Sequence, residues 1–163
     1  MEGLLHQIFA GLATGGIYAS VALALVMIHQ ATHLLNFAQG EMAMFSTYIA
    51  WALVNAGMPY WAAFALTLGF SFVVGTAVQH FVVGRVRGPS VLPVVVVFIG
   101  LLVIFNSLAG WIFTYTIKSF PSPFPAAPPF GQRYMSSHEL GALAVTLVVL
   151  SLLFAFFRFT SLG

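Results

Sequence analysis

The sequence contains no cysteine and very little charge. Without cysteine, disulfide bonds and thiolate metal sites are excluded, although this does not indicate which compartment the loops face. Charged residues make up 5% of the 163 residues, against about 25% in an average soluble domain. Three acidic and five basic side chains cannot coat a water-facing surface, and a net charge of +2 is too small to indicate nucleic-acid binding. A soluble domain is therefore excluded.

Long apolar runs dominate the chain, which is 61% hydrophobic. A membrane-spanning helix needs about 20 mainly apolar residues. Polar, proline and glycine clusters separate five such segments, at about residues 5–28, 34–56, 60–83, 91–113 and 140–157. The first is too long for a signal-peptide core and lacks a basic start, so we expect it to be retained. Because an open sheet edge cannot be satisfied in lipid, the sequence predicts an all-α polytopic transmembrane helix bundle forming a single domain.

The segment 114–137 carries five of the eight prolines and predicts an extended loop outside the hydrocarbon. Five crossings would place the two chain ends on opposite sides of the membrane. Two clusters of basic residues would then lie on opposite sides, Arg85, Arg87 and Arg158 on one and Lys118 and Arg133 on the other. The positive-inside rule predicts an extracytoplasmic N-terminus and a cytoplasmic C-terminus.

Polar residues crowd the start of the second segment, where Asn36, Gln39, Gly40 and Glu41 follow closely. A carboxylate at the bilayer centre costs about 3 kcal/mol, so such groups face a protein interior or a wet cavity. In one interpretation they line a solute path at a discontinuous helix whose glycine permits a break. In the other, Asn36 caps an ordinary helix and Glu41 complements its dipole. The spacing leaves both open.

Small residues recur every four positions in the first segment, at Gly11, Gly15 and Ala19. Such a stripe predicts close packing against another helix. A role in contacting solute is the alternative, and Tyr18, one turn after Gly15, would then share it.

The sequence also carries partial signals of a metal site and of a serine hydrolase. His29 and His33 have the i, i+4 spacing of a metal pair, but Glu41 is the one further ligand nearby, and we expect no metal. The sequence around Ser71 has a bare Gly-x-Ser pattern of an intramembrane serine hydrolase, although a serine in an apolar helix more often bonds its own i−4 carbonyl. No nucleotide-binding Gly-x-x-x-x-Gly-Lys-[Ser/Thr] occurs.

Four stretches together resemble a known family of permeases. They are Gly11-Leu12-Ala13-Thr14-Gly15-Gly16-Ile17-Tyr18-Ala19, Leu35-Asn36-Phe37-Ala38-Gln39-Gly40-Glu41, Arg85-Val86-Arg87-Gly88 and Arg158-Phe159-Thr160-Ser161-Leu162-Gly163. The chain is similar to the branched-chain amino-acid permeases of ABC importers, the LivH-like subunits, and to their urea and amide relatives. In that family a histidine stands where this chain has Gln39.

The resemblance implies a bacterial inner-membrane permease subunit that imports branched-chain or other small amino acids and has no catalytic residue or cofactor of its own. It implies a second permease subunit, two cytoplasmic ATPase subunits and an extracytoplasmic solute-binding protein as partners. Asn36, Gln39, Gly40 and Glu41, faced by Gly15 and Tyr18, would form the solute path. The chain is expected to be the N-terminal half of such a permease, with a non-transporting remnant as the alternative, and the choice among amino acid, urea and amide stays open.

Overall fold

A computed structural model describes residues 2–86, 88, 90–124 and 137–159, and all regular elements in these ranges are helical. This confirms the all-α prediction. The helices are α1 (Glu2–Thr32), α2 (Gln39–Asn55), α3 (Tyr60–Ala77), a π-helical segment (Val78–Val83), α4 (Gly84–Val86), α5 (Leu92–Phe113) and α6 (Ser137–Phe159).

Four helical stretches are long and apolar enough to cross a membrane. They are His6–Gln30, Tyr60–Val86, Leu92–Phe113 and Ser137–Phe156. The third has the highest mean hydropathy, 2.6, although only 28% of its most apolar window is buried within the protein. Apolar residues that face outward along such a length require lipid or other protein around them. The chain is thus a multi-pass membrane protein, as the sequence predicts.

The second predicted segment, 34–56, is helical only from Gln39 onward. Its 17 residues give a helix of about 26 Å, shorter than the roughly 30 Å hydrocarbon core. Residues 33–38 form a non-helical turn between α1 and α2. Whether this segment makes a fifth complete crossing stays a prediction.

Of the predicted loop 114–137, the described part, 114–124, has no helix or strand, and α6 begins at Ser137. The remaining prolines of the loop lie outside the described residues.

The chain divides into two compact units, which are described separately. The central unit comprises Ile28–Phe120, and the terminal unit comprises Met1–Met27 with Pro121–Gly163. The central unit has a core formed by the turn before α2, the π-helical segment and one face of α5. Its buried members are Ala38, Val83, Val94, Phe98, Leu101 and Phe105.

Within the central unit, α2 and α3 form an antiparallel hairpin. The hydroxyl groups of Ser46 and Ser71 lie 2.8 Å apart across it. The connection between the helices turns at Gly57, whose φ of +92° is a left-handed conformation that favours glycine. Its backbone N–H donates to the Val54 carbonyl and so closes the end of α2.

Helices α2 and α5 run in the same direction. The Asn106 amide contacts the Glu41 carboxylate at 3.2 Å, and the rings of Tyr48 and Phe113 stack with centroids 5.1 Å apart. Both pairs are separated by 65 residues in the chain, so the two helices keep one parallel register. That register places the start of α2 well inside the length of α5.

Aromatic residues gather at the end of the central unit where α2 finishes. Lys118 Nζ lies 5.0 Å from the centre of the Trp51 ring, and Trp51 Nε1 donates to the Ser119 carbonyl. The rings of Tyr60 and Phe120 meet edge to face. Trp and Tyr are typical of a membrane interface, so this end is expected at a bilayer surface.

In the terminal unit, α1 and α6 approach closely at Gly16. A side chain at this position would place its Cβ 3.2 Å from Cγ2 of Thr146, which is itself buried. A second close approach joins Gly141 of α6 to the ring of Phe124, which would have to move to admit a Cβ. Small residues therefore set the packing of this unit.

Candidate functional site

The turn before α2 begins where α1 ends, at His33. Its φ of 56° is a left-handed conformation, uncommon for residues other than glycine, and its N–H donates to the His29 carbonyl. The Thr32 hydroxyl contacts the carbonyls of Ile28 and Leu34 and also accepts from the Leu34 N–H. Local polar groups thus satisfy this turn, as apolar surroundings require.

Asn36 stabilises the second half of the same turn. Its Oδ1 accepts the Ala38 N–H at 3.0 Å, and its carbonyl accepts the Gln39 N–H. The hypothesis that Asn36 is the N-cap is wrong in its position: the N-cap is Ala38, which makes no side-chain cap. Asn36 closes an Asx-type turn two residues earlier, because a side-chain oxygen reaches the second N–H along the chain.

Gln39 is the first residue of α2, and its Oε1 is buried without a hydrogen-bond partner in the described part of the chain. An unsatisfied buried oxygen costs about 1–3 kcal/mol. A water molecule or a polar solute would remove this cost. Beside it, Gly40 borders open space, since a Cβ there would meet no atom within 4 Å.

Glu41 lies in the first turn of α2 and is half-buried, and its Oε2 accepts a hydrogen bond from Asn106 Nδ2. Asn106 is exposed on α5 and was missed by the sequence reasoning. A signal existed, because Asn106 and its neighbour Ser107 interrupt an otherwise apolar span. The pairing itself joins residues 65 apart and leaves no local pattern.

The contact between Glu41 and Asn106 fixes where along α5 the helix α2 begins. Fourteen residues separate Leu92 from Asn106, or about 21 Å of a helix whose 22 residues span about 33 Å. The Gln39 end of α2 therefore begins slightly beyond the midpoint of α5. The turn 33–38 lies beside the π-helical segment, where Ala38 packs in the core with Val83. The second segment is thus non-helical at 34–38 and becomes helical near the middle of the length of α5. Its depth in a membrane stays a prediction.

Two of the predicted path residues, Gly15 and Tyr18, belong to the terminal unit. The other four belong to the central unit: Asn36, Gln39, Gly40 and Glu41. Tyr18 is 71% exposed. A Cβ at Gly11 or Gly15 would meet nothing within 4 Å, and Ala19 is exposed as well. Gly16, which is not part of the predicted stripe, is the residue of α1 that lies close to Thr146 in the terminal unit. Packing through the stripe and solute contact at Tyr18 both stay predictions.

The basic residues chosen for topology are partly described. Arg85 in α4 donates to the Phe81 carbonyl and lies over the Phe81 ring, at the opposite end of the central unit from Lys118. Their placement on opposite sides of the membrane stays a prediction. Arg158 is exposed near the end of α6. Arg87 and Arg133 lie outside the described residues.

Ser71 has the environment of a structural serine. Its hydroxyl lies 2.8 Å from the Thr67 carbonyl, the predicted i−4 contact, and 2.8 Å from Ser46 Oγ. Ser46 in turn contacts the Met42 carbonyl. Two hydroxyl protons are thus shared among three contacts, of which the one between the hydroxyls joins α2 to α3.

Comparisons with known proteins identify a family of permeases. The profile of a family described as the permease component of branched-chain amino acid transport systems matches residues 7–163. The chain is similar to the high-affinity branched-chain amino acid transport system permease protein BraD of Pseudomonas aeruginosa, with 23% identity over 161 residues. The match covers 93% of this chain and 52% of BraD, so the chain spans about half the length of that relative. No solved structure matches.

Proposed function

The chain belongs to the family of branched-chain amino acid transport permeases, and we propose that it forms part of the solute path of an ATP-driven importer for branched-chain or other small amino acids. The observation that carries this proposal is the start of α2 midway along α5, with Glu41 and Asn106 meeting there. Broken helices at membrane depth are typical of transporter binding sites, because the freed backbone and nearby polar groups can replace the solute's water.

The path would be lined by Asn36, Gln39, Gly40 and Glu41, and Gly15 and Tyr18 of α1 are the further candidates for contact with the solute. Asn36 stabilises the turn, while Gln39 offers a buried oxygen that has no partner among the described residues. At Gly40 the open space gives a solute access to the first turn of α2. This arrangement suits a small molecule that carries both polar and apolar groups, which is what an amino acid is.

Transport by this path requires partners that this chain does not supply. The sequence has no nucleotide-binding motif, so ATP would be hydrolysed by two cytoplasmic ATPase subunits. A second permease subunit would complete the path, and a solute-binding protein would deliver the amino acid from outside. In this proposal the N-terminus faces outward and the C-terminus the cytoplasm, with Arg85 at the cytoplasmic end of the central unit.

Uptake in reconstituted vesicles tests the proposal. The chain would be reconstituted with the ATPase, second permease subunit and solute-binding protein of its source organism, and uptake of radiolabelled leucine, urea and acetamide measured with and without ATP. ATP-dependent uptake of leucine, abolished when the binding protein is left out, is the expected result. Uptake of urea or acetamide instead of leucine would overturn the assignment to amino acids, and uptake of none of them would overturn transport.

A further inference from the structure

Asn106 occupies an unfavourable place unless water or solute reaches it. It lies in the most apolar of the candidate spans, with mean hydropathy 2.6, and its side chain is exposed rather than packed within the central unit. The partner that it contacts, Glu41, is one of only three acidic residues in the chain. A carboxylate and an amide facing lipid at this depth would cost several kcal/mol, so the face that they share belongs to a wet or protein-lined interior.

The geometry of the pair leaves it incomplete. Asn106 donates through Nδ2 to one carboxylate oxygen of Glu41. Within the described residues the other carboxylate oxygen, Oε1, and the amide oxygen, Oδ1, have no further partner. Two oxygen acceptors, one of them charged, are thus held together by a hydrogen bond between α2 and α5. An ammonium group, with three N–H donors and a positive charge, matches such a pair.

We propose that Glu41 and Asn106 together bind the α-ammonium group of the transported amino acid, at the depth where α2 begins. This inference rests on the proposed transport function and makes it more specific. Asn106 orients the carboxylate and supplies a second acceptor, while the negative charge of Glu41 provides the attraction. Neutral solutes such as urea and simple amides have no cationic group for this carboxylate, so the pair selects for amino acids.

The charge preference of a thiol placed at this position tests the inference without transport. The native chain has no cysteine, so an Asn106→Cys variant has a single thiol. Its labelling rates by a trimethylammonium and by a sulfonate methanethiosulfonate reagent would be compared in phosphatidylethanolamine–phosphatidylglycerol vesicles. Because Glu41 attracts the cation, we expect the ratio of the two rates to fall about fivefold when Glu41→Gln is added. Failure of both reagents to label the thiol, or a ratio unchanged by Glu41→Gln, would overturn the inference.

Leucine uptake by the reconstituted assembly separates this inference from the proposed function. Asn106→Leu should lower the rate at least about tenfold, which corresponds to the loss of about 1.4 kcal/mol. Ser107→Ala is the matched control, because Ser107 neighbours Asn106 on α5 but makes no contact with Glu41 in the described structure. Wild-type protein that takes up no leucine would contradict the function itself. Normal uptake by a well-folded Asn106→Leu variant would contradict only the role of the pair.

Discussion

Ser46 and Ser71 illustrate how single polar residues stabilise this protein where apolar burial contributes little. Between membrane helices, a hydrogen bond of this kind contributes about 0.6 kcal/mol on average and up to about 1.7. Ser46→Ala should therefore lower the free energy of unfolding in detergent by about 1 kcal/mol, and Ser71→Ala by a similar amount. The double variant should lose less than the sum, because it leaves neither hydroxyl without its partner.

Ser151→Ala is the control for this cycle. In the part of the chain that the structure describes, the exposed Ser151 hydroxyl donates to the Leu147 carbonyl of its own helix and to no other helix, so its removal should leave stability unchanged. Strict additivity of the Ser46 and Ser71 effects would show that the two hydroxyls do not interact.

At the level of residues, the sequence identified groups whose cost in lipid is evident from their type alone. Asn36 and Glu41 were singled out on that ground, and so was the i−4 bond of Ser71, which is confirmed. Asn106 and Gly16 were missed because their roles depend on distant partners, Glu41 and Thr146. A pattern confined to one segment cannot reveal which of its polar or small residues will meet another helix.

At the level of elements, the sequence predicts the apolar runs but not where each helix begins or changes its geometry. Apolar runs predict five membrane segments, and four described helical stretches are long and apolar enough to cross a bilayer. In the second segment the helix begins five residues after the predicted start at residue 34. Its first residues are as apolar as a helix requires, yet the Asn36 side chain accepts the Ala38 N–H, and the helix begins at Gln39. The π-helical segment Val78–Val83 was likewise absent from the sequence reasoning, since nothing in its composition distinguishes it from α-helix.

The hairpin turn at Gly57 allows a prediction about one element. Gly57→Ala should destabilise the protein by about 1–2 kcal/mol, because a residue with a Cβ is strained at a φ of +92°. Gly100→Ala serves as a matched substitution, since Gly100 lies inside α5 and its Cβ would meet nothing within 4 Å. Thermal unfolding in detergent should separate the two variants. Equal midpoints would show that the turn does not require glycine.

Across the whole molecule, the register of α2 against α5 determines whether the polar residues lie at the membrane surface or at its middle. Double cysteine variants can measure it. Glu41→Cys with Asn106→Cys should be bridged by a short bifunctional thiol reagent, because the native side chains meet at 3.2 Å. If both helices instead began at one level, Glu41 would lie beside Val94, and the pair Glu41→Cys with Val94→Cys would cross-link in its place.

The most direct test of the solute path is the accessibility of position 41 itself. A Glu41→Cys variant, again with a single thiol, would be labelled in sealed vesicles with a water-soluble maleimide and with a lipid-soluble one. Val103→Cys, an exposed apolar position on α5, is the control expected to react only with the lipid-soluble reagent. We predict that the thiol at position 41 reacts with the water-soluble reagent, because it lies on a wet path inside the membrane. Reaction with the lipid-soluble reagent alone would contradict the path and would show that position 41 faces lipid.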